Sequence, residues 1–168
     1  MEKNNKKKAL IVIDIQTDIA KKWQETIQNI NKAIDWAVSN GIHIVYTRHE
    51  NLSPGSRLLL PGTPGAELSL DLKIASENIF TKNKMNCLTC DEFVDFVKKN
   101  EITEFILTGA DASICVKSTC FNLRKEGHAV TVLSDCIASW KMTLIPEMLE
   151  YYEKQGAKVI SVNDLKNI

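Results

Sequence analysis

The stretch Phe105-Ile106-Leu107-Thr108-Gly109-Ala110-Asp111-Ala112-Ser113-Ile114-Cys115-Val116 decides the fold. Phe105 to Thr108 is a short apolar run with the signature of a buried strand, and Gly109 reads as its end. Small and polar residues follow, and Cys115 opens a helix that runs to about Lys125. A cysteine in the first turn of a helix meets free N–H groups and the positive end of the helix dipole, which favour thiolate over thiol. The same N–H groups can receive a negative oxygen developing on a carbonyl. The competing reading is a buried structural cysteine that packs as a small hydrophobe.

Working outward, the same alternation of helix and apolar strand recurs. Ala9 to Ile13 is a continuous apolar run ending at Asp14. From about Ile19 to Ser39, Ile27, Ile30, Ile34 and Val38 recur at helical spacing, and Gly41 stops the helix before a strand over Ile42 to Thr47. Helix, glycine and strand return at Ser118 to Glu126, Gly127 and Ala129 to Leu133, and again at Leu144 to Gln155, Gly156 and Ala157 to Val162. A helix over Asp91 to Lys99 leads into the Phe105 strand. The pattern predicts one α/β domain over residues 1–168: a Rossmann-like, three-layer α-β-α sandwich around a mostly parallel sheet of about six strands. Residues 48–76 break the rhythm with Pro54-Gly55, Pro61-Gly62 and Pro64-Gly65, and a long irregular insert is more often functional than idle. Asn78 to Thr81 is a brief strand that delivers Lys82.

The composition narrows the function classes. The 168 residues suffice for one domain with a sizeable core. Lys and Arg total 21 and so do Asp and Glu, which argues against a nucleic-acid footprint. The cluster Lys3, Lys6, Lys7 and Lys8 reads as a solvated leader. The apolar run after it is too short for a signal-peptide core, and no stretch is long enough to span a membrane. Five cysteines without a secretion signal point to the cytoplasm and reduced thiols. No Gly-x-Gly-x-x-Gly follows the first strand, so a dinucleotide is not expected.

Ligands of open α/β sheets bind beyond the carboxyl ends of the strands. Asp14, Lys82 and Cys115 all fall at such positions, and a charge at the end of a buried strand needs a partner or water. Together they divide a reaction. Asp14 accepts the thiol proton and later returns it to a leaving amine, Lys82 stabilises the negative states, and Cys115 attacks a carbonyl. Each has an ordinary alternative: an N-cap for Asp14 and a surface position for Lys82.

The sequence resembles the isochorismatase-like cysteine hydrolases over nearly its whole length. ALIVIDIQT at 9–17 is similar to the family's first strand and Asp-x-Gln signature, and PGTPGAEL at 61–68 to its Pro-Gly-Thr-x-Gly-x-Glu-Leu loop. IFTK at 79–82 resembles the segment with the family lysine, TGADASICV at 108–116 the nucleophile turn, and Gly127 to Asp135 the strand that follows. The resemblance implies a catalytic triad of Asp14, Lys82 and Cys115, a cis peptide at Ala110-Asp111, and an oxyanion hole from the N–H groups of Asp111 and Cys115. Isochorismatases proper usually lack the cysteine and cleave a vinyl ether, so Cys115 favours amide or carbamoyl chemistry. Nicotinamidases of the family carry an Asp-x-His metal site after the second strand. Here that position reads Thr47-Arg48-His49-Glu50 with no counterpart of the second metal-ligand histidine apparent downstream, so His49 and Glu50 read as a loop pair and no metal is expected.

Gln16, Arg48 and Trp140 are candidate substrate contacts. Arg48 is either a bidentate carboxylate clamp or an exposed loop arginine, and Trp140 either rims the pocket or packs in the core. A helix starting almost directly after Asp18 leaves a shorter loop than the family's, so the pocket is open or a neighbouring subunit completes it; a homo-oligomer is expected. Cys87 and Cys90 have redox-motif spacing but no supporting context, while Cys120 and Cys136 read as structural. The expected function is cofactor-free hydrolysis of a small amide or carbamoyl C–N bond through a thioester at Cys115. The alternative is a catalytically degenerate module of the same fold that binds a small molecule or another protein. Fast alkylation of Cys115 separates the two.

Overall fold

Six strands pair side by side, all parallel, in the order β3-β2-β1-β4-β5-β6. They are β1 (Lys8–Ile13), β2 (His43–His49), β3 (Ile79–Lys82), β4 (Glu104–Ala110), β5 (Ala129–Ala138) and β6 (Lys158–Ile160). The structure is a computed structural model that describes residues 4–168. Lys3 of the basic cluster lies outside the described residues, while Lys8 lies in β1 and pairs with Glu104 at 3.5 Å. Among the described residues, no helix is long and apolar enough to cross a membrane.

The central strand β1 shows why the sheet has two dry faces. Successive side chains of a strand point to opposite sides. Ala9, Ile11 and Ile13 enter one core with α2 (Asp91–Lys99), α3 (Cys115–Lys125) and α4 (Ile145–Lys154). Leu10 and Val12 enter the other with α1 (Gln24–Ser39) and the C-terminal turn around Val162 and Leu165. A strand covered on both sides needs apolar residues at every position, which is how the sequence of β1 reads.

Several boundaries depart from expectation, β2 running on to His49 and β6 stopping at Ile160 among them. The first helix begins at Gln24 rather than near Ile19. Residues 16–23 form turns instead, in which Ile19 and Ala20 N–H groups donate to the Gln16 carbonyl and Trp23 N–H to Ala20. Ile19 and Trp23 are four apart and imitate a helical stripe. At the far end of α1, Val38 is 56% exposed and Ala37 takes the buried position. Gly109 does not end β4, because the strand runs through it to Ala110. A Cβ at Gly109 would lie 2.1 Å from the Ile13 carbonyl oxygen, and φ there is +109°. Glycine therefore lets β4 approach β1 just before Asp14. β5 is longer than expected and ends at Ala138, since its pairing with β4 shifts register between Leu107 and Gly109.

Candidate active site

β1, β2, β3 and the start of α3 deliver their residues to one point at the carboxyl edge of the sheet. Asp14 follows β1 with φ 51°, a backbone angle uncommon outside glycine, and is 2% exposed. Lys82 closes β3 and is also 2% exposed. Cys115 is the first residue of α3. The Lys82 ammonium donates to Asp14 Oδ2 at 2.8 Å and approaches Cys115 Sγ at 3.4 Å. Thr47 Oγ1 donates to Asp14 Oδ1 at 2.8 Å, so both carboxylate oxygens are held.

The electrostatics follow from burial and these contacts. Burial alone would push the Lys82 amine down, but Asp14 and the nearby thiols more than offset it and the ammonium is held above its ordinary value. Burial, then the Asp14 charge, push the Cys115 thiol up to about 12 against the opposing pull of Lys82. Burial and the Asp14 charge thus oppose the helix terminus and the ammonium at the sulfur. His49 is pushed below its ordinary value, first by burial and then by Lys82.

The turn before Cys115 adds two unsatisfied donors. The Ala110–Asp111 peptide is cis. Ser113 N–H is taken by the Asp111 side chain, Ile114 and Val116 N–H by the Asp111 carbonyl, and Ala112 N–H by Ala138. Among the described residues, the N–H groups of Asp111 and Cys115 have no acceptor in the chain. The Asp111 carboxylate reaches across to accept from Ser139 Oγ at 2.9 Å and Trp140 N–H at 2.6 Å.

A cavity of about 440 Å³ opens over this point. Its floor includes Asp14, His49, Asp111 and Cys115, and its walls are largely apolar, with Ile19, Trp23, Leu59, Met85 and Trp140 among them. The turns after Asp18 thus supply a wall. They are pinned to the irregular insert: Thr17 N–H donates to Glu67, Asp18 N–H to Gly65, and Leu59 N–H to Asp18 Oδ2. Trp140 stands at the rim, 72% exposed, so it is not a core residue.

Gln16 and Arg48, expected as substrate contacts, are committed elsewhere and do not line the cavity. Gln16 is fully buried, with its amide nitrogen donating to the His49 and Ala66 carbonyls and its oxygen accepting from His49 N–H. It ties the insert to the end of β2. Arg48 is paired with Glu67 at 2.7 Å and donates to Thr81. Strand alternation explains the miss: Thr47 and His49 face the site, so Arg48 between them faces away. His49 is also not a loop residue but the end of β2, in register with Lys82. Cys87 and Cys90 form no disulfide; the single S–H of Cys90 lies within reach of the Thr81 carbonyl and the Glu92 carboxylate. Cys120 and Cys136 are fully buried.

Some members of the family that the sequence resembles bind a metal at the end of the second strand. Donor atoms of Asp14, His49 and Cys115 do converge here, all within 4.8 Å of one another. The Lys82 ammonium, however, contacts all three, at 2.8 Å, 3.3 Å and 3.4 Å. A cation already serves these donors, and a second would meet its full repulsion. These residues do not fit a metal ion.

The comparisons with known proteins agree with the fold. YrdC of Bacillus subtilis, itself an uncharacterized isochorismatase family protein, is 30% identical over 143 residues, 81% of this chain and 76% of its own. The structure of N-carbamoylsarcosine amidase from Thermoplasma acidophilum superposes with a TM-score of 0.83 at 19% identity, covering 95% of this chain and 99% of that one. The pyrazinamidase of Pyrococcus horikoshii, solved in complex with zinc, gives 0.80 at 24% identity over 92% and 99%. The family model described as the isochorismatase domain matches residues 8–164. With nearly all of its length accounted for by that domain, the chain belongs to the isochorismatase family.

Proposed function

We propose that this protein is a cysteine hydrolase that cleaves a small amide or carbamoyl C–N bond through a thioester at Cys115. The observation that carries this reading is the meeting of Asp14, Lys82 and Cys115, brought from distant parts of the chain, with Asp14 and Cys115 lining one cavity and Lys82 bonded behind them. The names of two fold neighbours, an N-carbamoylsarcosine amidase and a pyrazinamidase, support the same bond class.

With the thiol raised by burial, proton transfer sets the order of events. As Cys115 sulfur attacks the carbonyl carbon, its proton passes to Asp14, and the carbonyl electron pair moves onto oxygen. The N–H groups of Asp111 and Cys115 receive that oxyanion. Collapse of the adduct breaks the C–N bond, and Asp14 gives its proton to the departing nitrogen. Water then attacks the thioester while Asp14 takes its proton. The acid leaves, and the sulfur recovers the proton from Asp14. Lys82 keeps its charge throughout and steadies the carboxylate and the developing thiolate.

The cavity supports a small substrate with an apolar body, since apart from Lys22 its polar lining is Asp14, His49, Asp111 and Cys115. Arg48 offers no carboxylate clamp because Glu67 occupies it. The reading includes a homo-oligomer, supported by the exposed rim of Met85, Ile114, Trp140 and Met142, and a cytoplasmic setting, supported by five free thiols.

The test is a screen of small amides, ureido acids and carbamoyl compounds, reading released ammonia and the mass of an adduct on Cys115. Turnover that disappears in Cys115→Ala is the expected result. A validated substrate hydrolysed at full rate by Cys115→Ala would overturn the assignment.

A further inference from the structure

Lys82 has more acceptors than protons. Its ammonium carries three N–H groups and faces Asp14 Oδ2 at 2.8 Å, the Lys84 carbonyl at 3.1 Å, His49 Nδ1 at 3.3 Å and Cys115 Sγ at 3.4 Å. The two shortest contacts take two protons. The third is shared between a ring nitrogen and the sulfur.

The hydrogen on His49 can be placed from both ends of the ring. Asn51 Nδ2 donates to the Leu58 carbonyl at 2.8 Å, which turns Asn51 Oδ1 toward His49 Nε2 at 3.1 Å. A carbonyl oxygen only accepts, so Nε2 carries the hydrogen. On the other side an ammonium only donates, so Nδ1 carries the lone pair. Both ends fit one neutral tautomer, with the hydrogen on Nε2 and the Lys84 carbonyl taken by the ammonium. His49 is also in direct register with Lys82 across β2 and β3 and lines the cavity floor.

We propose that His49, oriented by Asn51, is a positioning residue that holds the third proton of the Lys82 ammonium and yields it to Cys115 sulfur as charge develops there. This rests on the cysteine-hydrolase reading. While the sulfur keeps its proton it is a poor acceptor, and the imidazole keeps the ammonium satisfied. When the thiol proton leaves for Asp14, the sulfur becomes the better acceptor and the ammonium hydrogen turns toward it across the 3.4 Å contact without the lysine moving.

Protonation of His49 would place an N–H against the ammonium and undo this. The charged or titratable groups facing the ring are Lys82 from β3, Asp14 from β1 and Cys115 from α3; Asn51 and the Lys84 carbonyl are neutral, and Glu50 is turned to Arg48 at 3.9 Å. Burial and Lys82 lower the ring, so it is neutral at neutral pH and charges only below its ordinary value of 6.5. The site therefore fails on the acid side.

The test is the rate of Cys115 alkylation by iodoacetamide, followed residue by residue by mass spectrometry between about pH 5 and pH 8 on the full chain. His49→Asn, whose oxygen replaces the Nδ1 acceptor, should keep the rate within about threefold and flatten the acid limb. His49→Phe should slow it about tenfold or more. Asn51→Asp should hold the imidazolium and move the acid limb up by roughly one pH unit. A wild-type rate and pH profile in His49→Phe, with Cys115 still the preferred thiol, overturns the role of His49 alone. If His49→Phe does not fold, an unmoved limb in Asn51→Asp overturns it. Wild-type protein in which Cys115 is not the preferred thiol overturns the hydrolase reading and this one with it.

Discussion

Asp111 holds the backbone of Trp140: its Oδ2 accepts the Trp140 N–H at 2.6 Å, while Oδ1 accepts from Ser139 Oγ, Ser113 Oγ and Ser113 N–H. One carboxylate thus joins the turn that carries Cys115 to the turn that carries the rim tryptophan. Asp111→Ala keeps the Asp111 backbone N–H in place and removes only the clamp. Hydrogen bonds to a charged acceptor are worth about 1.5–3 kcal/mol each and are not additive, so a loss of roughly 3 kcal/mol is expected in urea titration. With Trp140 released, KM should rise about tenfold, and more than kcat falls. An unchanged KM would remove Trp140 from the substrate's surroundings.

The Lys82–Asp14 pair is nearly dry, with side chains 1% and 3% exposed. Removing one partner strands the other's charge. Lys82→Met and Asp14→Leu should each cost about 3–5 kcal/mol, whereas the double variant should be less destabilised than the sum and close to wild type. All three should be inactive, and Asp14→Asn, which keeps the shape but cannot take a proton, should lose at least about a thousandfold in kcat. A double variant whose loss equals the sum of the singles would show that the pair is not coupled.

How much of this was legible in the sequence depended on whether a side chain's direction mattered. β1 reads as a strand buried on both faces because each residue from Ala9 to Ile13 is apolar, and the charge that ends it marks the site edge. The same logic located Lys82 and Cys115 at strand-end positions. Gln16 and Arg48 sit at the same edge, and position alone could not tell that one is buried in backbone contacts and the other faces Glu67. The alternation running from Thr47 to His49 carried that information, had β2 been extended two residues further. His49 became meaningful only through its register with Lys82, a pairing between segments 33 residues apart. Ile19 and Trp23 mislead for another reason: their spacing is helical, but they sit in turns, packed on the core and walling the cavity at once.

Gly109 couples the fold to the site. A methyl group there would meet Ile13 backbone oxygen and nitrogen at 2.1 Å and 2.5 Å, and backbone in the sheet centre has nowhere to go. Gly109→Ala should cost roughly 3–5 kcal/mol from crowding and a positive φ together. Because Ile13 precedes Asp14, the displacement should also lower kcat in whatever protein remains folded. Gly41→Ala is the control: its φ is +65° but nothing lies within 4 Å, so strain alone applies and about 1 kcal/mol is expected. Equal losses at the two positions would mean that the approach of β4 to β1 is unimportant.

The thiols should make the fold sensitive to alkali. Burial pushes Cys87 and Cys120 up to about 11 and Cys115 to about 12 from an ordinary 9.0, and Cys136 is raised as well. A group whose folded value is raised contributes stability that is complete below its unfolded value and is lost as pH climbs through the folded one. The window therefore opens near pH 9 and extends to about 12 for these thiols, and Lys82, also raised, acts with the same sign. Several raised thiols that lose this contribution together should weaken the fold above that pH. Urea midpoints should hold steady to about pH 9 and fall steeply above it, and Cys120→Ala should flatten the fall even though it leaves a small cavity. A midpoint that does not move up to about pH 11 would mean that the thiols most enclosed by protein, Cys87, Cys120 and Cys136, reach water in the native state.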